Sequence, residues 1–398
     1  MSKIFHGEKC HNIVKNLREI NETAGVDPEV VDLLEAFARL RLSAHRHISF
    51  YDPPGTIRSE EIKSFISKNS HLDQRTLNFL SAYFLEMKKR RLKCIFSTRH
   101  LSEILAVDQK RLSWLANDRG RHYNTFHIDK RDGTKRKIHS PKPRLRTIQR
   151  GILDTVLAHV RLNPHAEGFR KNRSILTNAR RHVSKNIIIK LDAKDFFPSI
   201  TFSRVLGMFT ALGYPNNVAL MLTGLTTCEG KLPIGAPTSP AILNIIATKL
   251  DKRLARLGEK MGFCYSRYAD DLTISSDDRT ITQLIPFFKQ IIQEEGFVVQ
   301  DKKIRIMRNG GQQKITGIVV NQKMNAERSQ IRKLRAVIHN RRFKNIHDEK
   351  IKWAKKEKNL QDPSTYTMKA FKASVRGKIN FVIATSHIIW PQNLTLLK

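Results

Sequence analysis

Tyr265-Ser266-Arg267-Tyr268-Ala269-Asp270-Asp271-Leu272-Thr273-Ile274 sets two adjacent carboxylates between two β-prone runs. From Phe263 to Ser275 the pattern reads as two strands turning about Ala269-Asp270. An Asp-Asp pair by itself is usually a solvated turn. The chain contains its own control in Asp277-Asp278, which lies in a polar Ser-Ser-Asp-Asp-Arg-Thr loop with no strand on its far side. Apolar strand residues flank Asp270-Asp271 on both sides, so like charges are pressed together where only a cation relieves the repulsion.

Upstream, Ile187-Ile188-Ile189-Lys190-Leu191 is a compact β-type run ending at Asp192. Phosphoryl transfer to a nucleotide uses two Mg²⁺ ions about 3.5–4 Å apart. Such ions take oxygen ligands, so a protein supplies two or three carboxylates from separate elements. Asp192, Asp270 and Asp271 are the candidates for that role.

Composition narrows the class of partner. The 398 residues include 72 Lys and Arg against 36 Asp and Glu, a net charge of +36. A surface this positive calls for a polyanion, and nucleic acid is the commonest large one. With 40% hydrophobic residues the chain can build a sizeable core. The four cysteines show no C-x-x-C spacing, and the histidines show no H-E-x-x-H, so neither disulfides nor zinc are expected. No apolar leader or membrane-length run appears, and a cytoplasmic enzyme without membrane contact is expected.

Residues 1–95 read as a helical extension. Val30, Leu33, Leu34, Phe37 and Leu40 repeat at helical spacing, Pro53-Pro54-Gly55 breaks the chain, and Leu77, Leu80 and Phe84 mark a second helix ending in Lys88-Lys89-Arg90-Arg91. A hairpin is expected from Thr125 to Ile138 around Asp132-Gly133. Phe297-Val298-Val299 and Ile315 to Val320 supply further strand material. Helices and strands mix without regular βαβ alternation, which argues for an α+β core. From Lys323 to Lys358 there are thirteen Lys or Arg and four Asp or Glu. Ile331, Leu334 and Ile338 give this stretch one apolar helical face, leaving Arg332 and Arg335 as candidates for phosphate contact.

Tyr268-Ala269-Asp270-Asp271 resembles the Y-x-D-D box of reverse transcriptases. Leu191-Asp192-Ala193-Lys194-Asp195-Phe196-Phe197-Pro198-Ser199-Ile200 is similar to that family's first carboxylate motif, and Leu232-Pro233-Ile234-Gly235-Ala236-Pro237-Thr238-Ser239-Pro240 to the box between them, in the family's order. The resemblance implies a right-hand polymerase fold: fingers and palm over 96–325 and a basic helical thumb over 326–398, preceded by the helical extension 1–95. It also implies two Mg²⁺ ions on Asp192, Asp270 and Asp271, with deoxynucleoside triphosphates as substrates. Ala193, Phe197 and Gly235 become nucleotide contacts, and Phe197 takes the place of the ring that excludes a ribose 2′-hydroxyl. The neighbouring Phe196 equally suits a core position. Lys130, Arg131 and Arg136 fall in the fingers hairpin that closes over the triphosphate. Lys303 aligns best with the lysine that protonates pyrophosphate, with Lys302 as a substitute. Ile234 departs from the pattern, because the family usually has a glutamine there that hydrogen-bonds the nucleotide.

Asn178-Ala179-Arg180-Arg181-His182 resembles the N-A-x-x-H signature of retron reverse transcriptases, and Ile315-Thr316-Gly317 their V-T-G box. Asn178, His182, Thr316 and Gly317 are therefore expected to contact nucleic acid. Retron enzymes bind a cognate structured non-coding RNA, prime from a guanosine 2′-hydroxyl within it and leave a branched RNA–DNA product. Many act with an effector protein against phage. The rival readings are a reverse transcriptase of the group II, diversity-generating or abortive-infection kind, and a catalytically weak RNA-binding scaffold that restrains a toxin.

Overall fold

The computed structural model describes residues 74–386, apart from 118–119, 131–132, 344, 359 and 361. The helix expected at 30–40 and the Pro53-Pro54-Gly55 break lie outside the described residues, as does Arg131. Along the chain come α1 (Gln74–Lys89), α2 (Thr98–Ile104), α3 (Gln109–Asn117), β1 (Tyr123–Asp129), β2 (Lys135–Pro141) and α4 (Pro143–Ile152). Then follow α5 (Ile175–Arg180), β3 (Ile187–Asp192), α6 (Phe202–Leu212), α7 (Asn216–Thr226), α8 (Ser239–Ile246) and α9 (Thr248–Met261). The remainder is β4 (Cys264–Tyr268), β5 (Asp271–Ser276), α10 (Ile285–Glu294), β6 (Arg305–Arg308), β7 (Lys314–Ile315), β8 (Ile318–Val319), α11 (Arg328–Phe343), α12 (Ile346–Lys358) and α13 (Met368–Thr385).

These elements gather into two compact units of discontinuous sequence. The first draws on residues up to 163, 194–249 and 295–297. Its α1 turns Tyr83 and Met87 fully inward, with Leu80 and Phe84 only partly buried beside them; the expected Leu77 contact lies outside the described side chains. The β1–β2 hairpin forms where Asp132-Gly133 predicts it, in the register Phe126 opposite Ile138. Buried Gln149 of α4 ties the hairpin base down, donating to the Tyr123 hydroxyl at 2.7 Å and the Leu225 carbonyl at 2.9 Å.

The second unit comprises 164–193, 250–294 and 298–398. At its centre is an antiparallel sheet in the order β4-β5-β3-β6. Strand β3 is central, and its run of Ile187, Ile188, Ile189 and Leu191 is fully buried, as a strand covered on both faces requires. The edge strand β6, Arg305-Ile306-Met307-Arg308, carries no strand signal in the sequence; its arginines are exposed and discourage pairing with another chain. Phe297-Val298-Val299 forms no strand. Val299 makes a single bridge to Ala193, and the chain then enters the short turn Asp301–Lys303. Ile315 to Val320 is a hairpin, not one strand. Helices α11–α13 pack their own core of Ile331, Leu334, Trp353, Phe371, Val375, Ile379 and Val382, with Ile338 against it.

Candidate active site

Strand period two decides which side chains meet. Asp192, the last residue of β3, is the register partner of Asp271, the first of β5. Opposed residues in an antiparallel pair have Cα atoms about 4.5–5.5 Å apart and side chains on one face. Two carboxylates distant in sequence therefore stand side by side, with Asp270 next to them in the turn. Both strand carboxylates keep access to solvent, at 18% exposure for Asp192 and 33% for Asp271.

Each has a cationic neighbour. Lys303 Nζ lies 3.2 Å from Asp192 Oδ1, and Lys190 Nζ 3.0 Å from Asp271 Oδ2. Lys303 is positioned by its turn, since the Gln300 N–H donates to the Asp192 carbonyl at 2.8 Å and the Lys303 N–H to the Gln300 carbonyl at 2.9 Å. Lys303 is thus held beside Asp192 by the backbone of its own turn. Lys190 was missed in the sequence, although its place two residues before Asp192 puts it on the same strand face.

The turn itself is strained. Tyr268 and Asp271 pair across it, and Ala269 has φ +57°, a left-handed conformation that costs a residue with a Cβ about 1–2 kcal/mol. It is held from three sides. The Ala193 N–H donates to the Asp270 carbonyl at 3.0 Å, and Arg267 Nη1 donates to the Ala269 carbonyl at 3.2 Å. Gly168 packs so closely that a Cβ there would stand 2.7 Å from the Ala269 nitrogen.

The donor set is made of carboxylate oxygens, which suits a hard divalent cation. Among the described residues no three His, Cys, Asp or Glu side chains already converge as a cage. Lysines neutralise the two strand carboxylates instead. The control pair behaves as a solvated turn: Asp277 pairs with Lys185 at 2.7 Å, and Asp278 accepts from the Thr280 N–H at 2.8 Å.

Several expected contacts need correction. Ala193 is only 3% exposed and its N–H is spent on Asp270, so it braces the turn and presents nothing to a nucleotide. Asn178 and His182 are buried, at 1% and 0% exposure, beyond the reach of nucleic acid. His182 Nδ1 lies 2.7 Å from Ser275 Oγ and Nε2 2.7 Å from Ser266 Oγ, whose hydroxyl donates to Asn178 Oδ1 at 2.6 Å. Since the Ser266 hydroxyl donates to Asn178, it accepts from Nε2–H, and Nδ1 accepts from Ser275. The signature is a clasp joining α5 to β4 and β5. Thr316 and Gly317, at φ +46° and +90°, form the tight turn between β7 and β8, and Thr316 Oγ1 donates to the Ile175 carbonyl at 3.3 Å.

Burial pushes His182 from 6.5 down to about 3. Between those values the unfolded chain binds a proton that the folded chain refuses. Stability therefore falls as pH drops from 6.5 towards 3, by about 1.4 kcal/mol per pH unit. His182→Gln removes that slope even though it weakens the clasp. Urea unfolding of both proteins between pH 7 and 4.5 measures it, and parallel pH profiles would refute the neutral clasp.

In the first unit, Phe196 is 3% exposed with its ring centroid 4.7 Å from that of Phe297, while Phe197 is partly exposed. Core and surface roles thus divide between the neighbours. Arg136 is exposed on β2, and the Lys130 N–H closes the hairpin loop onto the Thr134 carbonyl at 2.7 Å. Gly235 is exposed with φ +115°, beside Ile234, whose carbonyl accepts from the His139 N–H at 2.8 Å. In the second unit, Arg332 and Arg335 are exposed on α11, opposite buried Ile331 and Leu334.

The sequence profile described as "Reverse transcriptase (RNA-dependent DNA polymerase)" matches residues 128–358. Retron Mx65 reverse transcriptase of Myxococcus xanthus is 42% identical over 241 residues, covering 56% of this chain and 56% of that protein. Retron Mx162 reverse transcriptase of the same organism is 38% identical over 285 residues, covering 62% and 59%. Retron Ec86 reverse transcriptase of Escherichia coli is 37% identical over 221 residues, covering 54% and 69%. The chain thus spans little more than half the length of the first two. A solved telomerase from Candida albicans, in complex with a telomeric RNA fragment, aligns with TM-score 0.38 and 10% identity over 91% of this chain and 76% of that one.

Proposed function

Because this chain belongs to the reverse transcriptase (RNA-dependent DNA polymerase) family, and within it to the retron reverse transcriptases, with their α+β right-hand polymerase fold, we propose that it copies a cognate structured RNA into DNA and leaves a branched RNA–DNA product. The observation that carries this reading is the register that sets Asp192 opposite Asp271 beside the braced Ala269-Asp270 turn.

Asp192, Asp270 and Asp271 would hold two divalent cations, Mg²⁺ in the cell. Held there, such ions would supply charge neutralisation for the triphosphate and a lowered pKa for the primer hydroxyl. The protein's own groups do the rest. Lys303, whose ammonium reaches Asp192, donates a proton to the departing pyrophosphate. Lys130, Arg131 and Arg136 bind triphosphate oxygens, and Gly235 offers an exposed backbone to the nucleotide. The Phe197 ring excludes the 2′-hydroxyl. Ile234 cannot hydrogen-bond the nucleotide, so selectivity rests more on shape. Residues 96–325 serve as fingers and palm and 326–398 as thumb, where Arg332 and Arg335 track a phosphate backbone. An effector protein and a role against phage are the further expectations of this reading. No described helix is long and apolar enough to cross a membrane, and work in the cytoplasm is part of the same proposal.

The decisive experiment is sequencing the RNA and DNA that co-purify with the protein from its host, with a test for a 2′,5′ linkage. One dominant structured RNA joined to DNA through such a branch is expected. Heterogeneous RNA without attached DNA would overturn the retron assignment. The bound nucleic acid should also dissociate as salt rises, because each phosphate contact releases counterions. Retention unchanged between about 50 and 200 mM salt would argue against backbone-led binding.

A further inference from the structure

On the sheet face opposite the carboxylates lies an ion pair that the chemistry above does not use. Arg267 of β4 and Asp251 of α9 both have side chains 0% exposed. Arg267 Nε donates to Asp251 Oδ1 at 2.8 Å and Nη2 to Oδ2 at 2.7 Å, a two-pronged contact. Tyr265, two residues earlier on the same face, donates its hydroxyl to Asp251 Oδ1 at 2.8 Å.

Stability alone does not call for this arrangement. Removing two charges from water costs several kcal/mol per ion, and well-packed apolar residues of similar volume commonly serve a fold as well or better. What an apolar pair cannot supply is direction. The guanidinium is a rigid plane with five donors, and Asp251 fixes that plane by binding two of them. The remaining arm, Nη1, is thereby aimed at the Ala269 carbonyl, 3.2 Å away.

That carbonyl belongs to the peptide joining Ala269 to Asp270. The next peptide is held by the Ala193 N–H on the Asp270 carbonyl. Both peptide planes flanking the Asp270 Cα are thus pinned, one by Arg267 and one by Ala193. Two fixed planes set φ and ψ at Asp270, and these set the direction of its Cβ. The strained Ala269 makes the pinning necessary, because a residue with φ +57° relaxes elsewhere unless its surroundings hold it.

We propose that Asp251 and Arg267 form a positioning pair that orients the Asp270 carboxylate for divalent-cation binding. The inference rests on the reading of Asp270 as a cation ligand, and its test separates the two. Mn²⁺ is titrated into the full chain without nucleotide and followed by electron paramagnetic resonance, with thermal unfolding alongside. The proteins compared are wild type, Asp270→Asn, Arg267→Lys, and the double variant Asp251→Leu/Arg267→Met. Lysine keeps the charge but lacks the fork that serves Asp251 and Ala269 together. The double variant keeps apolar volume and leaves no lone buried charge.

Both pair variants are expected to fold and to need about 10- to 100-fold more Mn²⁺, as loss of an outer-shell partner commonly requires. In primer extension their kcat should fall while the nucleotide KM stays near that of wild type. Wild-type Mn²⁺ affinity in either folded variant, with affinity lost in Asp270→Asn, overturns the positioning role alone. Wild-type affinity in Asp270→Asn overturns the cation reading and the inference with it. An Arg267→Lys protein that no longer folds also overturns the proposal, since the pair would then serve the fold rather than the turn.

Discussion

Asp270→Asn is expected to reduce DNA synthesis by about 10³-fold or more while leaving the protein folded. Asparagine has the volume of aspartate and retains one oxygen, but it brings no charge to a cation. Two bonds that shape the turn survive the change, because Ala193 donates to the Asp270 carbonyl and Arg267 to the Ala269 carbonyl, both backbone acceptors. Lys303 and Lys190 keep their carboxylate partners on the strands. Primer extension on an RNA template with Mg²⁺, together with a melting curve, checks both halves of the expectation. Extension within about tenfold of wild type would remove Asp270 from the chemistry. It would also revive the scaffold reading, in which the chain binds RNA without copying it.

Phe197→Ala should raise the use of ribonucleoside triphosphates relative to deoxynucleotides by roughly 10²-fold, about what rejection of one hydroxyl by shape provides. The basis is steric: a ring against C2′ leaves no room for oxygen, and alanine restores it. Phe196→Ala gives the contrast. That ring is 3% exposed and packed on Phe297, so its loss should cost about 3–5 kcal/mol of stability with the sugar preference intact. Competition assays with both nucleotide types, run beside unfolding curves, separate the two. Equal sugar discrimination in wild type and Phe197→Ala would return Phe197 to ordinary packing.

The parts of the site legible in the sequence were those encoded locally. An apolar run ending in Asp192 and two β-prone stretches around Ala269-Asp270 suffice for three strands, and the register of β3 on β5 follows the buried pattern. What escaped depends on partners far along the chain. Asn178 and His182 show the spacing of one helix face, but spacing cannot say whether that face meets solvent or the strands carrying Ser266 and Ser275. Arg267 reads as one more cation among 72; only the approach of α9 makes it a buried partner of Asp251. Strand β6 is short and arginine-rich, and it becomes a strand because β3 offers it a free edge. Phe297-Val298-Val299 has the composition of a strand, yet the N–H of the following Gln300 bonds the Asp192 carbonyl and the chain turns away.

The weaving of the second unit from separated stretches has a consequence at the ribosome. Strand β3 emerges with its isoleucines bare, and its neighbour β5 follows about eighty residues later; at ordinary elongation rates of about 5–20 residues per second the wait is about 4–16 seconds. During that interval Ile187-Ile188-Ile189 is a sticky ribbon seeking any partner, including the same ribbon on a neighbouring nascent chain. Yield from a heterologous host then depends, beyond the finished protein's stability, on how well this one segment is chaperoned while it waits.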